Sequence, residues 1–383
     1  MWADTDDLAK PLEEFAALHG RTLRSSSTKP IDLSYPNPRA GRDDRAFTQL
    51  RELVRDLDQD DLQYTPFGGG TLVRRRVAEA MNRRYALRLR HRDVVLTPGA
   101  TAALSVTFAA LFRPGDEILV VTPCWMDYPL YLRRSGLTMV EVPSGPGKRL
   151  DLDGLRAACG PRTAGVVISQ PACPTGVLHS AAEIRGLADV LHECERRFGR
   201  ALTLVSDEAH RDVIWDGRPV SLPMQVHPGT VSVYSYGKAW SLQGQRVGYL
   251  ALGPGLDDRA TDIERAMRST GFAAPTALMQ HLVMRIADWE PQHESLGDDQ
   301  RWIRARLSDA GYDVVPAQGT AFVYVRCPEG VDDTEFVRRL AGLGVLAMPS
   351  SLFHEPGYFR LALNTTRPQL VVAAQRLDQA LNR

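Results

Sequence analysis

Short runs of β-branched and other apolar residues recur along this chain at intervals wide enough to hold a helix. Val94–Leu96, Glu117–Val121, Thr138–Val142, Gly165–Ser169, Leu202–Ser206, Val231–Ser235 and Val247–Leu252 are such runs, and amphipathic segments separate most of them. Antiparallel neighbours need only a tight turn, whereas parallel neighbours need a crossover about a dozen residues long. The spacing therefore predicts an α/β fold with a mostly parallel sheet sandwiched by helices. Pro and Gly in TPGA (97–100), RPGDE (113–117) and PSGPG (143–147) supply the breaks between elements.

After about residue 290 the pattern changes. Asp298–Ala310 reads as a helix, GTAFVYVR (319–326) as a strand, DDTEFVRRLAGL (332–343) as a helix, VLAMP (345–349) and YFRLALN (358–364) as strands, and the last residues as a helix. This predicts a smaller α+β domain at 291–383 beside a large domain at 47–290. Residues 1–46 read as an arm that also joins the small domain. The arm has a polar helix with apolar positions at helical spacing from Leu8 to Leu18, followed by the connector RSSSTKP at 24–30. In such a layout the site is expected where strands end and domains meet.

Composition narrows the partners. The 46 basic and 46 acidic residues cancel, which leaves no basic field for nucleic acid. The five cysteines, Cys124, Cys159, Cys173, Cys194 and Cys327, are odd in number and contain no C-x-x-C pair. No disulfide framework and no metal site are expected, and a reducing compartment is the simplest setting. The start, MWADTDDLAK, lacks the basic and apolar regions of a signal peptide, and no stretch approaches the roughly 18 apolar residues of a membrane span. A cytoplasmic protein without membrane contact is expected.

Only four lysines occur, Lys10, Lys29, Lys148 and Lys238. The last stands at the end of an apolar run, in SVYSYGKAWSLQGQRVGYLAL (232–252), three residues after Ser235 and eight before Arg246. A lysine is ordinarily a solvated surface group. One placed among apolar and aromatic residues in a lysine-poor chain is a candidate nucleophile, because desolvation and nearby cations favour the free amine.

These residues resemble the lysine motif of the fold type I pyridoxal-phosphate enzymes, in the class I/II aminotransferase group: S-x-[SG]-K followed by G-x-R-x-G, here ending in Gly244-Gln245-Arg246-Val247-Gly248. The resemblance extends along the chain. Tyr64, Gly69 and Val73-Arg74 match Y-x4-G-x3-L-R; Thr97-Pro98-Gly99-Ala100-Thr101 match the phosphate turn; Pro123-Cys124-Trp125 with Tyr128 match P-x-[YW]-x-x-Y. Pro174-Thr175-Gly176 match the P-T-G turn, Asp207-Glu208-Ala209-His210 resemble D-E-x-Y, and Tyr358-Phe359-Arg360-Leu361 resemble the C-terminal arginine strand.

The resemblance implies pyridoxal 5'-phosphate as cofactor and an amino acid as substrate. Lys238 would hold the cofactor aldehyde and later carry the Cα proton, and Asp207 would keep the pyridine nitrogen protonated. Gly99, Ala100 and Thr101, ahead of a helical stretch at Ala102–Phe112, would offer amides to the phosphate, joined by Ser235 and Arg246. Tyr64 would reach the same phosphate from the other subunit of a homodimer. Trp125 would lie against the ring, Arg360 would grip the substrate α-carboxylate, and Tyr35 and Pro36 would line the substrate side.

Three positions depart from the family pattern. Cys173 stands where the family has asparagine in N-P-T-G, and His210 where it has tyrosine, so both usual donors to the cofactor's phenolic oxygen are changed. Pro36 stands at the glycine of L-x-x-G-x-P, in a segment reading Ser34-Tyr35-Pro36-Asn37-Pro38. Proline lacks the amide hydrogen and fixes φ, so that loop must differ in shape. Transamination is the expected reaction. Elimination, replacement or cyclisation at the β or γ carbon is the alternative that these departures favour. Two further alternatives are a nucleophilic Cys173 and a noncatalytic ligand-binding module, though no helix-turn-helix region is evident before residue 47.

Overall fold

The computed structural model describes residues 6–25, 30–37 and 43–381. Residues 26–29 of the expected connector and Pro38 lie outside the described residues. The expected N-terminal helix spans Asp6–Ser25, longer at both ends than the Leu8–Leu18 periodicity.

Among the described residues the strands, in chain order, are β1 (Ile31–Asp32), β2 (Val94–Thr97), β3 (Glu117–Thr122), β4 (Thr138–Pro143), β5 (Thr163–Ser169), β6 (Thr203–Asp207), β7 (Thr230–Ser235), β8 (Gly248–Leu252), β9 (Phe322–Arg326), β10 (Val345–Leu346), β11 (Met348–Pro349) and β12 (Tyr358–Ala362). The seven apolar runs form one sheet in the order β2-β8-β7-β6-β5-β3-β4. Within it β8 alone runs against its neighbours, and the remaining adjacent pairs are parallel.

Alternation along each strand sorts the core into two layers. Ile118, Val120, Val167, Val205, Val231 and Val233 pack on one face with Phe108, Ile263 and Met267 of the helices Ala100–Leu111 and Ala260–Thr270. Leu119, Val166, Ile168 and Leu204 pack on the other with Ile184, Leu187 and Leu191 of the helix Ala181–Phe198. Burying each such side chain contributes about 1.5–3 kcal/mol. Both faces are dry, so these strands read as near-continuous apolar runs.

A second, antiparallel sheet has the order β11-β12-β9, and β1 pairs in parallel with β10. Here the structure divides the expected strand VLAMP in two. Val345–Leu346 pairs with Ile31–Asp32, while Met348–Pro349 turns to pair with Arg360 and Phe359 of β12. The Leu33 carbonyl also accepts the Ala362 amide, at 2.6 Å. The segment 33–37, far from β12 in sequence, is thereby fixed at its end.

Candidate active site

Strand direction gathers the candidates. β2, β3, β5, β6 and β7 all end at one edge of the large sheet, and the antiparallel β8 begins there. Asp207 and Ser235 end β6 and β7, Gly99, Trp125, Cys173, His210 and Lys238 follow within a few residues of the strand ends, and Arg246 stands two residues before β8. Ligands of α/β sheets bind at this carboxyl edge.

Gly99 occupies the N-cap of the helix Ala100–Leu111 with φ +84°, and no side chain caps that helix. Its first-turn amides, including those of Ala100 and Thr101, are thus left for an anion. A Cβ on Gly99 would stand 2.8 Å from Arg246 Nη2, the flexible end of a long side chain, so it is the positive φ that calls for glycine. Arg246 has φ +48°, a left-handed conformation uncommon outside glycine. It donates to the Gln243 carbonyl at 3.0 Å and to Thr101 Oγ1 at 3.4 Å. Ser235 caps the short helix Tyr236–Ala239, accepting the Gly237 amide at 3.2 Å.

Lys238 is held one turn into that helix, its Nζ 3.5 Å from the Pro36 carbonyl. Burial, aided by Arg360 and Arg246 and opposed by Cys173 and Asp207, brings its ammonium down to about 8. Asp207 is buried; one carboxylate oxygen accepts the Tyr128 hydroxyl at 2.7 Å and the other the Ala209 amide at 3.0 Å. Burial raises its carboxyl above the ordinary value, against the pull of those two donors and of Lys238. Tyr128 was quoted above only as part of a motif. Its hold on Asp207 bridges residues 79 apart in sequence, and no local pattern announces it.

Arg360, on the central strand of the small sheet, is fully buried. Its Nη2 donates to the Ser34 carbonyl at 2.8 Å and contacts the Met348 sulfur at 3.3 Å, and its guanidinium lies over Phe322 and Phe353. Nε and Nη1 make no hydrogen bond to a nitrogen or oxygen, and the Cys173 thiol lies beside the guanidinium. Among the described residues no carboxylate forms an ion pair with Arg360, so a structural ion pair is not its role. Burial lowers it to about 10. The segment Ser34–Pro36 thus accepts hydrogen bonds from both Arg360 and Lys238, and Gln243 Nε2 ties to Asn37 Oδ1 at 2.6 Å. Tyr35 is partly exposed, its ring edge 5.0 Å from that of His19 between centroids.

Cys173 and His210 are buried beside these cations. Burial pushes the Cys173 thiol up to about 11, against the influence of Arg360, so the sulfur stays protonated and is a poor nucleophile. His210, its ring 5.0 Å edge-on to Phe322, is driven well below the usual imidazole range by burial and then by Lys238 and Arg360. It is neutral at physiological pH. Trp125 packs on Cys173, Phe322 and Ala362. Tyr64 lies apart from this group, fully exposed on the protomer.

A desolvated amine of lowered basicity, a buried carboxylate, uncapped helix amides with an arginine, and a buried arginine with two nitrogens free of hydrogen bonds form one donor set. It fits pyridoxal phosphate: an aldehyde for the amine, a pyridine nitrogen for the carboxylate, a phosphate for the amides. Fold and site together define the class, a fold type I pyridoxal-phosphate enzyme. The family model for aminotransferase class I and II matches residues 28–377, and the chain belongs to that family.

Similar proteins agree. The probable aspartate/prephenate aminotransferase of Thermus aquaticus is 30% identical over 335 residues, 85% of this chain and 86% of that protein. The aspartate/prephenate aminotransferase of Thermus thermophilus is 29% identical over 338 residues, 86% of each. The solved Thermus thermophilus aspartate aminotransferase with maleate superposes with a TM-score of 0.83 at 25% identity, covering 96% of both chains. An amino transferase from Eubacterium rectale has the same fold, with a TM-score of 0.87 at 24% identity over 99% of this chain and 95% of that one. The protein is a pyridoxal-phosphate-dependent aminotransferase acting on an amino acid. Among the described residues no helix is long and apolar enough to cross a membrane.

Proposed function

We propose that the enzyme transfers the amino group of an α-amino acid whose carboxylate is gripped by Arg360, with Lys238 carrying the Cα proton. The observation that carries this reading is the fully buried Arg360, with Nε and Nη1 making no hydrogen bond, near enough to Lys238 to lower its basicity. A carboxylate between those nitrogens would satisfy both and neutralise the guanidinium. The bound cofactor supplies an aldehyde that takes up the substrate amine and a ring that accepts the electron pair left when the Cα proton departs. Lys238, free amine above about pH 8, is the base at this site. Asp207, held by Tyr128, keeps a negative charge for the pyridine nitrogen.

Gly99, Ala100, Thr101, Ser235 and Arg246 hold the phosphate, and Trp125 offers a flat face to the ring. Tyr64, exposed on one protomer, completes the phosphate seat of a partner subunit in a cytoplasmic homodimer. Tyr35 and Pro36 shape the substrate entrance. The names of the Thermus relatives make aspartate the first amino donor and prephenate the first oxo-acid acceptor to try.

A second reading, elimination or replacement at the β or γ carbon, is favoured by one observation. The two positions that would donate to the phenolic oxygen hold a protonated thiol and a neutral imidazole in place of an amide and a phenol. The test mixes holoenzyme with single amino acids, without an oxo acid, and follows absorbance and ammonia. One equivalent of oxo acid with conversion of the cofactor to its amine form supports transamination. Repeated ammonia release with the aldehyde form retained overturns it for the second reading.

A further inference from the structure

We infer a divalent transition-metal site, of zinc type, at the end of the large sheet remote from the proposed active site, formed by His192, Glu195 and His227. One ligand atom from each lies within 4.8 Å of the others. His192 and Glu195 sit three apart on the helix Ala181–Phe198, so they share one face. His227 comes from the loop that enters β7, its backbone amide bound to the Pro223 carbonyl at 2.9 Å and its carbonyl accepting Thr230 Oγ1 at 2.7 Å.

Two donors each about 2.1 Å from one ion stand at most about 4.2 Å apart. His227 Nε2 and Glu195 Oε1, at 3.6 Å, are already inside that limit, and the imidazoles of His192 and His227 lie 5.4 Å apart between centroids. A small rotation of the less buried His192 closes the set. The Leu202 amide donates to Glu195 Oε1 at 2.9 Å, which orients the carboxylate as an outer partner does at a metal centre.

The independent observation is His227 itself. It is only 1% exposed, and its Nδ1 has no hydrogen-bond partner. Glu195 Oε1 stands beyond hydrogen-bond distance of Nε2. Buried imidazoles ordinarily have partners; a metal on Nε2, the nitrogen that faces Glu195 at 3.6 Å, would give that nitrogen one, while the unpartnered Nδ1 is not a ligand. The ligand set, two imidazoles and one carboxylate with a position left for water, suits zinc and disfavours magnesium and calcium, which take oxygen ligands.

The cluster adjoins the starts of β6 and β7, whereas Asp207 and Ser235 end them. A strand of five residues puts about 16 Å between the two edges. The ion would therefore clamp the helix to the sheet without entering the reaction.

The test titrates metal-free holoenzyme with Zn²⁺, then repeats it with His192→Ala and Glu195→Gln, both on the half-exposed helix face, and compares bound zinc, melting temperature and activity. The expected result is one high-affinity Zn²⁺ per chain that raises the melting temperature and leaves kcat unaltered, with Mg²⁺ inert. Each variant should weaken that binding by more than about 100-fold, beyond the loss of an outer partner, and abolish the thermal shift. Undiminished zinc affinity in both variants, or no zinc bound by the parent beyond theirs, overturns the assignment. His227→Gln, checked for native circular dichroism, must give the same loss.

Discussion

The proposed site has two unlike halves. Thr101, Arg246 and Tyr64, on the phosphate side, are exposed on the protomer, while Asp207, Cys173, His210 and Arg360 are buried and Lys238 is partly buried beside them. The first half follows the family pattern closely; the departures Cys173 and His210 fall in the second. Phosphate binding depends on backbone direction and fixed cationic charge, which tolerate water. Proton transfer requires altered basicity, and only in the buried half does burial bring a lysine to about 8 and hold an imidazole neutral. The contrast teaches that anchoring can be open, whereas reactivity is set where water is kept out.

The largest expected break is at Lys238. Lys238→Ala should lower turnover by about 10⁴-fold or more, since one residue is both amine and base; oxo-acid formation measures it. Its pH behaviour sharpens the point. Below about pH 8 the cofactor-free protein holds a protonated Lys238, so reconstitution with cofactor should slow about tenfold per pH unit there and level off above. The folded-state value of about 8 lies below the unfolded 10.5. Between them the unfolded chain binds more protons, so stability of the cofactor-free protein should rise with pH across that window.

Arg360→Met comes next. It should lower kcat/KM by about 10–100-fold, the worth of one charged hydrogen bond to a carboxylate. The same change removes a buried charge that has no acidic partner, so the substrate-free protein should melt higher, by about 1 kcal/mol or more. Denaturant melts beside steady-state kinetics would show both. A fall in stability with unchanged kinetics would return Arg360 to a packing role.

The phosphate side is probed by Gly99→Ala, a buried position beside the exposed Arg246. A Cβ at φ +84° and 2.8 Å from Arg246 Nη2 should cost about 1–2 kcal/mol. Because that strain falls on the phosphate seat, cofactor affinity should drop about tenfold, measured by fluorescence titration, with kcat at saturating cofactor nearly unaltered. A kcat loss as large as that at Lys238 would erase the division between the halves.

Legibility follows the same division. Six strands of the large sheet are readable because they bury both faces and are flanked by helix-length segments, so local pattern and tertiary role agree; β4, at the edge and largely exposed, is readable from its short apolar run alone. VLAMP was not, since Val345 takes its partner from Ile31 and Met348 from Arg360. Gly99 and Arg246 lie on motifs whose geometry is local. The environment of Lys238 is not local: Pro36, Cys173, Asp207, Arg246 and Arg360 converge on it from five segments. Residue identities could therefore name the amine without giving its basicity. The His192, Glu195 and His227 cluster has no cysteine pair to announce it, and only the helical spacing of His192 and Glu195 is visible locally, since His227 joins them from 32 residues beyond Glu195 in sequence.

The smallest expected effect concerns the departures themselves. Cys173→Asn with His210→Tyr restores an amide and a phenol, each able to donate where a buried thiol at about 11 donates weakly and a neutral imidazole has one N–H to place. A hydrogen bond gained at the phenolic oxygen contributes about 0.5–1.5 kcal/mol, a change of roughly 2–10-fold in how that oxygen shares its proton. The ratio of oxo acid to ammonia formed from a β-substituted amino acid should move by that factor toward oxo acid, while KM stays set by Arg360. The volumes differ, so each single variant is needed to separate packing from donation. If the ratio is unmoved and only stability changes, Cys173 and His210 are packing substitutions and the buried half is chemically as ordinary as the exposed one.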